Sequence, residues 1–423
     1  MTSSAVATPP VDLVLLGMPV RLELRGPAAA AAREQVCRAW AWCLAANAAA
    51  PPAAGCGPAD AADAVPVVPI DTSDLVGSDT DEVAVRTVLE HVATTLTLWA
   101  IDASDPQLLL VHAAGLVDPA TGHVAVCAAA SGTGKSTLAL TLGRHFGYLS
   151  DETVGIRPDG SVLAYPRPVL VHPPGTDAAK RSVSPAEAGL RRMSPGRVGA
   201  VLLLDRVGAD PTTATDPMDS PDAEAPVVEQ VPILEAVLEL AGQLSHLTRM
   251  TRPLQRIAAL LASVGGLRRV RYREAVDLGP VLTGLLATPP DPIPPTVGED
   301  PEMRAAADTG GESRGIPAAD ELSEATRVGW APDLLDRIEA DGESVVLAGG
   351  QLIWLSALPT TLVRHAAGPG ASLEELTTAV VAGFGPPPDG RPAAVQVAER
   401  VHALLEAGVL VVRPSGADAE ARG

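Results

Sequence analysis

Residues 129–137 read Ala-Ala-Ser-Gly-Thr-Gly-Lys-Ser-Thr. Apart from its first position, this matches Gly-x-x-x-x-Gly-Lys-Ser/Thr, the pattern of a loop that cradles phosphate. Such a loop belongs at one kind of place in a fold, between the end of a strand and the first turn of a helix. There, successive N–H groups and the positive helix end face one anion. The flanks fit. "HVAVCAA" (123–129) reads as an apolar strand and "STLALTLGRHF" as the helix that follows. Gly132 and Gly134 let the backbone curl so that loop N–H groups point inward. Ala129 stands where the pattern has its first Gly, which leaves the N–H donors in place. Lys135 reaches the β- and γ-phosphates, and Ser136 offers a hydroxyl to magnesium, a cation that prefers oxygen donors. The expected nucleotide set is Ala129, Ser131, Gly132, Thr133, Gly134, Lys135, Ser136 and Thr137, holding ATP with Mg2+. No Asn-Lys-x-Asp motif for guanine is present, so ATP rather than GTP is expected.

A metal also needs a carboxylate, and two stretches offer one. Asp205 ends "AVLLLD", the form of a Walker B strand, and Asp151 follows "YLS" shortly after the loop helix, with Glu152 beside it. Asp151 is preferred, and both stay open at this point. "LAGGQ" (347–351) resembles the signature of ABC transporter ATPases, but it lies between the strand-like "SVV" and "LIWLS". Gly349-Gly350 therefore reads as a hairpin turn.

The same region carries hairpin signals. "LLLVHAAGLV" (108–117) reads as a strand, "DPATG" (118–122) as a turn, and 123–129 as the returning strand. Upstream, strand-like runs cover Val11–Leu24, and helices are expected over Ala28–Ala48 and Asp81–Ala100. Leu234–Val264 reads as mostly helical.

The 423 residues are enough for two or three domains. Aromatics are 2% of the chain, so its core must be built from Ala, Val and Leu. The net charge of −20 argues against a nucleic-acid partner. The four cysteines form no CxxC pair and no zinc pattern, which fits a reducing cytoplasm. No signal-peptide pattern and no apolar run of membrane-spanning length is seen, so no membrane partner is expected.

"HAAG…GHVAVCAAASGTGKSTLAL…YLSDETVGI" resembles the HPr serine kinase/phosphorylase family, whose fold is related to that of phosphoenolpyruvate carboxykinase. The resemblance is clear over 108–206. It implies an α/β (α+β) nucleotide-binding domain of HPr-kinase type, with Asp151 as a magnesium-associated or catalytic acid. Glu152 would be its partner and the base toward a substrate hydroxyl, and His112 would hydrogen-bond the acidic pair. Ala113 replaces the family's Gly after the His, Glu152 replaces the usual second Asp, and the later signatures are missing. HPr itself is thus not expected as substrate. Arg167, Lys180 and Arg181 are candidates for charge near the γ-phosphate. The texture is closer to divergent kinase-like proteins of peptide-natural-product clusters, including lasso peptide systems.

Leu334–Pro414 reads as strand, turn, strand, three helices and strand, and resembles the small winged-helix peptide chaperone PqqD. Such domains bind a leader peptide by adding it to a sheet edge. The expected organisation is a nucleotide-binding domain at 10–288, a Pro/Gly/acidic disordered linker at 289–325, and a PqqD-like domain at 326–414. The expected function is phosphoryl transfer from ATP to a hydroxyl, with a ribosomally made precursor peptide as candidate partner. The alternatives are a non-catalytic ATP-binding adaptor and a simple ATPase. The sequence leaves the oligomeric state open.

Overall fold

The computed structural model describes residues 8–47, 65–76, 81–130, 132–171, 181–207, 225–288 and 316–413. The chain forms two compact units, and their sequences interleave. The first comprises Met1–Val231, Gln243–His246 and Ser263–Pro292; the second comprises Pro232–Gly242, Leu247–Ala262 and Ile293–Gly423.

The first unit is mixed α/β around a seven-stranded sheet. Its strand order is Arg191–Arg192, Gly147–Ser150, Ala113–Val117, Val124–Ala128, Val198–Arg206, Leu267–Tyr272, Val227–Gln230. Val198–Arg206 runs parallel to both Val124–Ala128 and Leu267–Tyr272. Ala113–Val117 runs antiparallel to Val124–Ala128, pairing Ala113 with Ala128 and Val117 with Val124. The "DPATG" turn closes this hairpin as its chemistry demands. The Asp118 carboxylate accepts from Thr121 Oγ1 at 2.8 Å and from the N–H groups of Ala120 and Thr121. Gly122 takes the positive φ of +75°.

The central strands are buried on both faces, which explains their unbroken apolar sequence. On one face the helices Lys135–Leu142 and Leu278–Ala287 cover Ala114, Leu116, Ala125, Cys127, Leu202 and Val270. The small Ala114, Ala125 and Cys127 among them let helix and sheet approach, and the leucines and Val270 fill the rest of the layer.

A three-stranded sheet, Val11–Leu15, Met18–Arg25 and Val67–Asp71, forms a second layer with its own helices. Its helix Glu82–Ala103 starts on Asp81, whose Oδ1 accepts from Ala84 N at 2.8 Å. The helix buries Ala84, Val88, Val92, Leu96 and Ala100, a strict four-residue stripe. The helix expected over 28–48 ends at Ala39 instead. Beyond it the chain turns back and pairs with the sheet, with Val14 N donating to Cys43 O at 2.7 Å. The tertiary pairing outweighs the helical preference of the alanines there.

The strand expected over 108–117 is also interrupted. Leu109–Val111 pairs with Val154–Ile156 in one sheet, and Ala113–Val117 belongs to the large one. His112 is the residue at the transfer.

In the second unit, Leu334–Ala340, Glu343–Ala348 and Gln351–Leu355 form an antiparallel meander. Its two-residue turns are Asp341-Gly342 (φ +52° and +81°) and Gly349-Gly350 (φ +54° and +79°). Two successive positive φ values define the mirror-image turn that matches strand twist. "LAGGQ" is accordingly a hairpin turn. Arg327–Trp330 pairs with Ala371–Ser372 on one side and Leu410–Val412 on the other. The helices Ala357–His365, Leu373–Phe384 and Ala393–Glu406 enclose a core with Leu362, Leu376, Val401 and Trp330. The helices Ile233–Ala241 and Pro253–Ser263 group with this unit although they precede residue 288. Asp336, fully buried in the meander, accepts from Leu254 N at 2.7 Å and Gln255 N at 3.1 Å, tying down the start of Pro253–Ser263. The expected linker lies outside the described residues up to 315.

Candidate functional site

The strand Val124–Ala128 runs straight into the glycine-rich loop, and the helix Lys135–Leu142 begins at its end. Gly132 (φ +85°) and Gly134 (φ +103°) hold left-handed backbone. At Gly134 the backbone alone calls for glycine, since a Cβ there would make only ordinary van der Waals contacts, 3.4 Å from the Tyr272 hydroxyl and 3.7 Å from Arg206 Cδ. Tyr272 Oη donates to Thr133 O at 3.3 Å, so the loop is braced from the end of Leu267–Tyr272, two strands away in the sheet. Ala129 is fully buried and has no positive φ, so a methyl group fits where the pattern has glycine. Ser131 lies outside the described residues. Thr133 Oγ1 donates to Ala130 O at 2.6 Å, and Thr137 is exposed on the first helical turn.

Lys135 is buried, and its ammonium donates to the carbonyls of Ala129 at 2.5 Å and Ala130 at 3.2 Å. Burial lowers its pKa, and the carboxylates of Glu152 and Asp151 act against that shift. The first helical N–H groups beside it have no partner within the helix, as at any helix start. Backbone donors, a cation and a positive helix end therefore converge on one volume.

The acidic pair reaches this volume from the end of the strand Gly147–Ser150. Asp151 is buried within electrostatic reach of the Ser136 side chain, and accepts from Tyr148 Oη at 3.0 Å. Burial raises its pKa, while Arg167, Ser136 and Tyr148 oppose the rise by favouring the ionised form. Glu152 is partly exposed. Its carboxylate lies 3.5 Å from Arg167 Nη1 and 3.4 Å from His112 Nδ1. His112 Nδ1 is also 2.9 Å from the Glu152 carbonyl, and its own N–H donates to Gln243 O at 2.7 Å. The strand break at His112 is what turns this imidazole toward the acids.

Arg167 is 9% exposed, and its Nε is a buried donor without a hydrogen-bond partner. The guanidinium is held at Nη1 by Thr97 Oγ1 at 3.4 Å; Thr97 in turn meets Tyr165 Oη at 2.9 Å. A cavity of about 420 Å3, lined in part by Glu90, Thr94 and Ser182, opens onto Arg167. Lys180 lies outside the described residues, and Arg181 is exposed at the start of the strand Arg181–Val183.

Asp205 is placed otherwise. Leu202 and Leu204 face the helix-covered core, so alternation turns Asp205 to the opposite face. Its carboxylate accepts from Arg271 Nε at 3.0 Å.

Sequence reasoning missed Tyr148, Tyr165, Tyr272 and Arg206. A usable signal existed: the chain has only three tyrosines, and each holds part of this site.

The donor set suits magnesium, which takes oxygen ligands and is commonly held by one or two protein oxygens plus phosphate oxygens. Ser136 and Asp151 provide such a pair. No group of three or more His, Cys, Asp or Glu able to cage a metal occurs among the described residues.

No family model matches the chain. No curated protein matches it in sequence. Among solved structures, the Hpr(Ser) kinase/phosphatase from Coxiella burnetii matches at 15% identity and a TM-score of 0.20, covering 42% of this chain and 93% of that one. Among the described residues no helix is long and apolar enough to cross a membrane.

Proposed function

We propose that the first unit binds ATP with magnesium and transfers its terminal phosphoryl group to a hydroxyl acceptor. One observation carries this reading: the buried Asp151 carboxylate stands within electrostatic reach of both Ser136 and Lys135 at the mouth of the phosphate loop. A structural glycine turn has no need of a buried acid at that point, whereas a nucleotide site does.

In this reading the loop N–H groups and Lys135 hold the β- and γ-phosphates. Ser136 and Asp151 would hold the metal, which when bound neutralises phosphate charge. Glu152 accepts the acceptor hydroxyl's proton. Its partial exposure lets an acceptor reach it, and His112 fixes it from behind. Arg167, held among Thr97, Asp151 and Glu152, directs a fixed positive charge toward the transferred group.

The second unit supplies the acceptor in the finer version of the proposal. The strand Gln351–Leu355 pairs only with Glu343–Ala348 among the described residues, so its outer edge has free backbone groups. Trp354 on that strand is exposed. Such an edge fits a peptide added as a further strand, the mode of PqqD-like domains.

The test uses γ-labelled ATP with the full chain, Asp151→Asn and Glu152→Gln. We expect Mg2+-dependent ATP binding by the wild type, loss of its metal-dependent part in Asp151→Asn, and binding without label transfer in Glu152→Gln. ATP bound by the wild type with no label reaching peptide, water or the protein itself would leave a nucleotide-binding adaptor. Absence of saturable ATP binding would sink the reading altogether.

A further inference from the structure

A second cleft in the first unit, of about 820 Å3, includes no residue of the phosphate loop in its lining. Its size lies within the range of small-molecule sites, about 300–1,000 Å3. Its walls combine Trp42, Tyr148, Leu163 and Pro166 with Arg157, Arg192 and Arg197. In a chain whose aromatics are five Trp, three Tyr and two Phe, two aromatic rings at one cleft are a local concentration.

The charge is also unlike the rest of the molecule. Three arginines line the cleft against a single carboxylate, Asp159, in a chain of net charge −20. The Arg192 guanidinium lies over the Trp42 ring, 5.7 Å from its centroid, and donates to the Asn47 carbonyl. Arg197 donates to the Asp159 carbonyl, and Arg157 Nη1 reaches Ser161 Oγ at 3.5 Å. Among the described residues neither Arg192 nor Arg197 has a carboxylate within ion-pair distance. Trp42 engages one face of the Arg192 guanidinium and Asn47 its Nη2, leaving the other N–H donors to meet a planar or tetrahedral anion.

We infer that this cleft binds a small aryl anion: a ring seated against Trp42 and Pro166, with a phosphate or carboxylate held by Arg192 and its neighbours. The site does not depend on the phosphoryl-transfer reading.

Titration calorimetry on the full chain with phenyl phosphate, inorganic phosphate and benzyl alcohol tests it. Phenyl phosphate binds saturably and at least about tenfold tighter than either of the other two, a difference of about 1.4 kcal/mol. Arg192→Ala and Trp42→Phe each weaken it, Arg192→Lys weakens it less than Arg192→Ala, and Lys135→Ala leaves it unchanged. Thermal unfolding of each variant checks that the fold is kept. No saturable binding overturns the inference. So does an affinity indifferent to Arg192→Ala, or one abolished by Lys135→Ala, which would place the anion in the phosphate loop.

Discussion

Replacing Asp336 by Asn removes a carboxylate that is fully buried and accepts from three backbone N–H groups, those of Leu254, Gln255 and Arg337. Burial pushes its pKa from 3.8 up to about 6, against those hydrogen bonds and the nearby Arg252. The folded state therefore holds this proton where the unfolded state has lost it. Between about pH 4 and pH 6 the unfolded chain binds fewer protons at this position, so stability falls as pH rises. The rise of about two pKa units corresponds to about 3 kcal/mol, fully present as a loss above pH 6 and absent below pH 4. Asparagine keeps the shape but cannot ionise. Its amide nitrogen will sit poorly among three donors, at a pH-independent cost of about 1–3 kcal/mol. The two effects separate in a difference of differences: urea unfolding of wild type and Asp336→Asn at a series of pH values from 4 to 7. The variant should gain on the wild type by about 3 kcal/mol over that range. A stability difference that stays flat with pH would show that the carboxylate is not desolvated. One that moves the opposite way would show that the three N–H donors outweigh burial.

Two further outcomes follow from the nucleotide site. Gly134→Ala forces a Cβ onto backbone at φ +103°, a left-handed conformation costing about 1–2 kcal/mol. Unfolding titrations should show that loss together with weakened ATP binding, and unchanged ATP affinity would contradict the loop geometry. Tyr148→Phe removes a donor that favours ionised Asp151, so the Asp151 pKa rises further and Mg2+-dependent ATP binding sets in at higher pH. An onset that does not move would mean that Asp151 does not control metal binding.

The phosphate loop was readable because its geometry prescribes residue types: left-handed backbone at Gly132 and Gly134, then a cation and a hydroxyl on the first turn. The hairpins were readable for the same reason, with glycine at the positive φ positions. His112 was marked by the family resemblance, while its own surroundings show only a histidine in an apolar run. The break it occupies leaves no trace, because Leu109–Val111 and Ala113–Val117 are apolar in two different sheets. Arg167 and Tyr148 reach Asp151 through packing among separated segments, which no local pattern encodes. The helix end at Ala39 was hidden by helix-favouring alanines that continue past it. Asp205 stayed open beside Asp151 because its strand has the right apolar run, and no local pattern shows that its carboxylate pairs with Arg271.

The two units exchange the chain five times, at 231/232, 242/243, 246/247, 262/263 and 292/293. A protein assembled by joining two finished genes end to end would exchange it once. Cleavage anywhere in 289–315 consequently yields no pair of self-sufficient halves. The N-terminal fragment keeps Ile233–Ala241 and Pro253–Ser263, while the C-terminal fragment keeps the meander and Asp336 that anchors the second helix. Each piece retains part of a shared core, so a nicked molecule should behave as a complemented pair, and the C-terminal portion expressed alone would carry an uncovered sheet face.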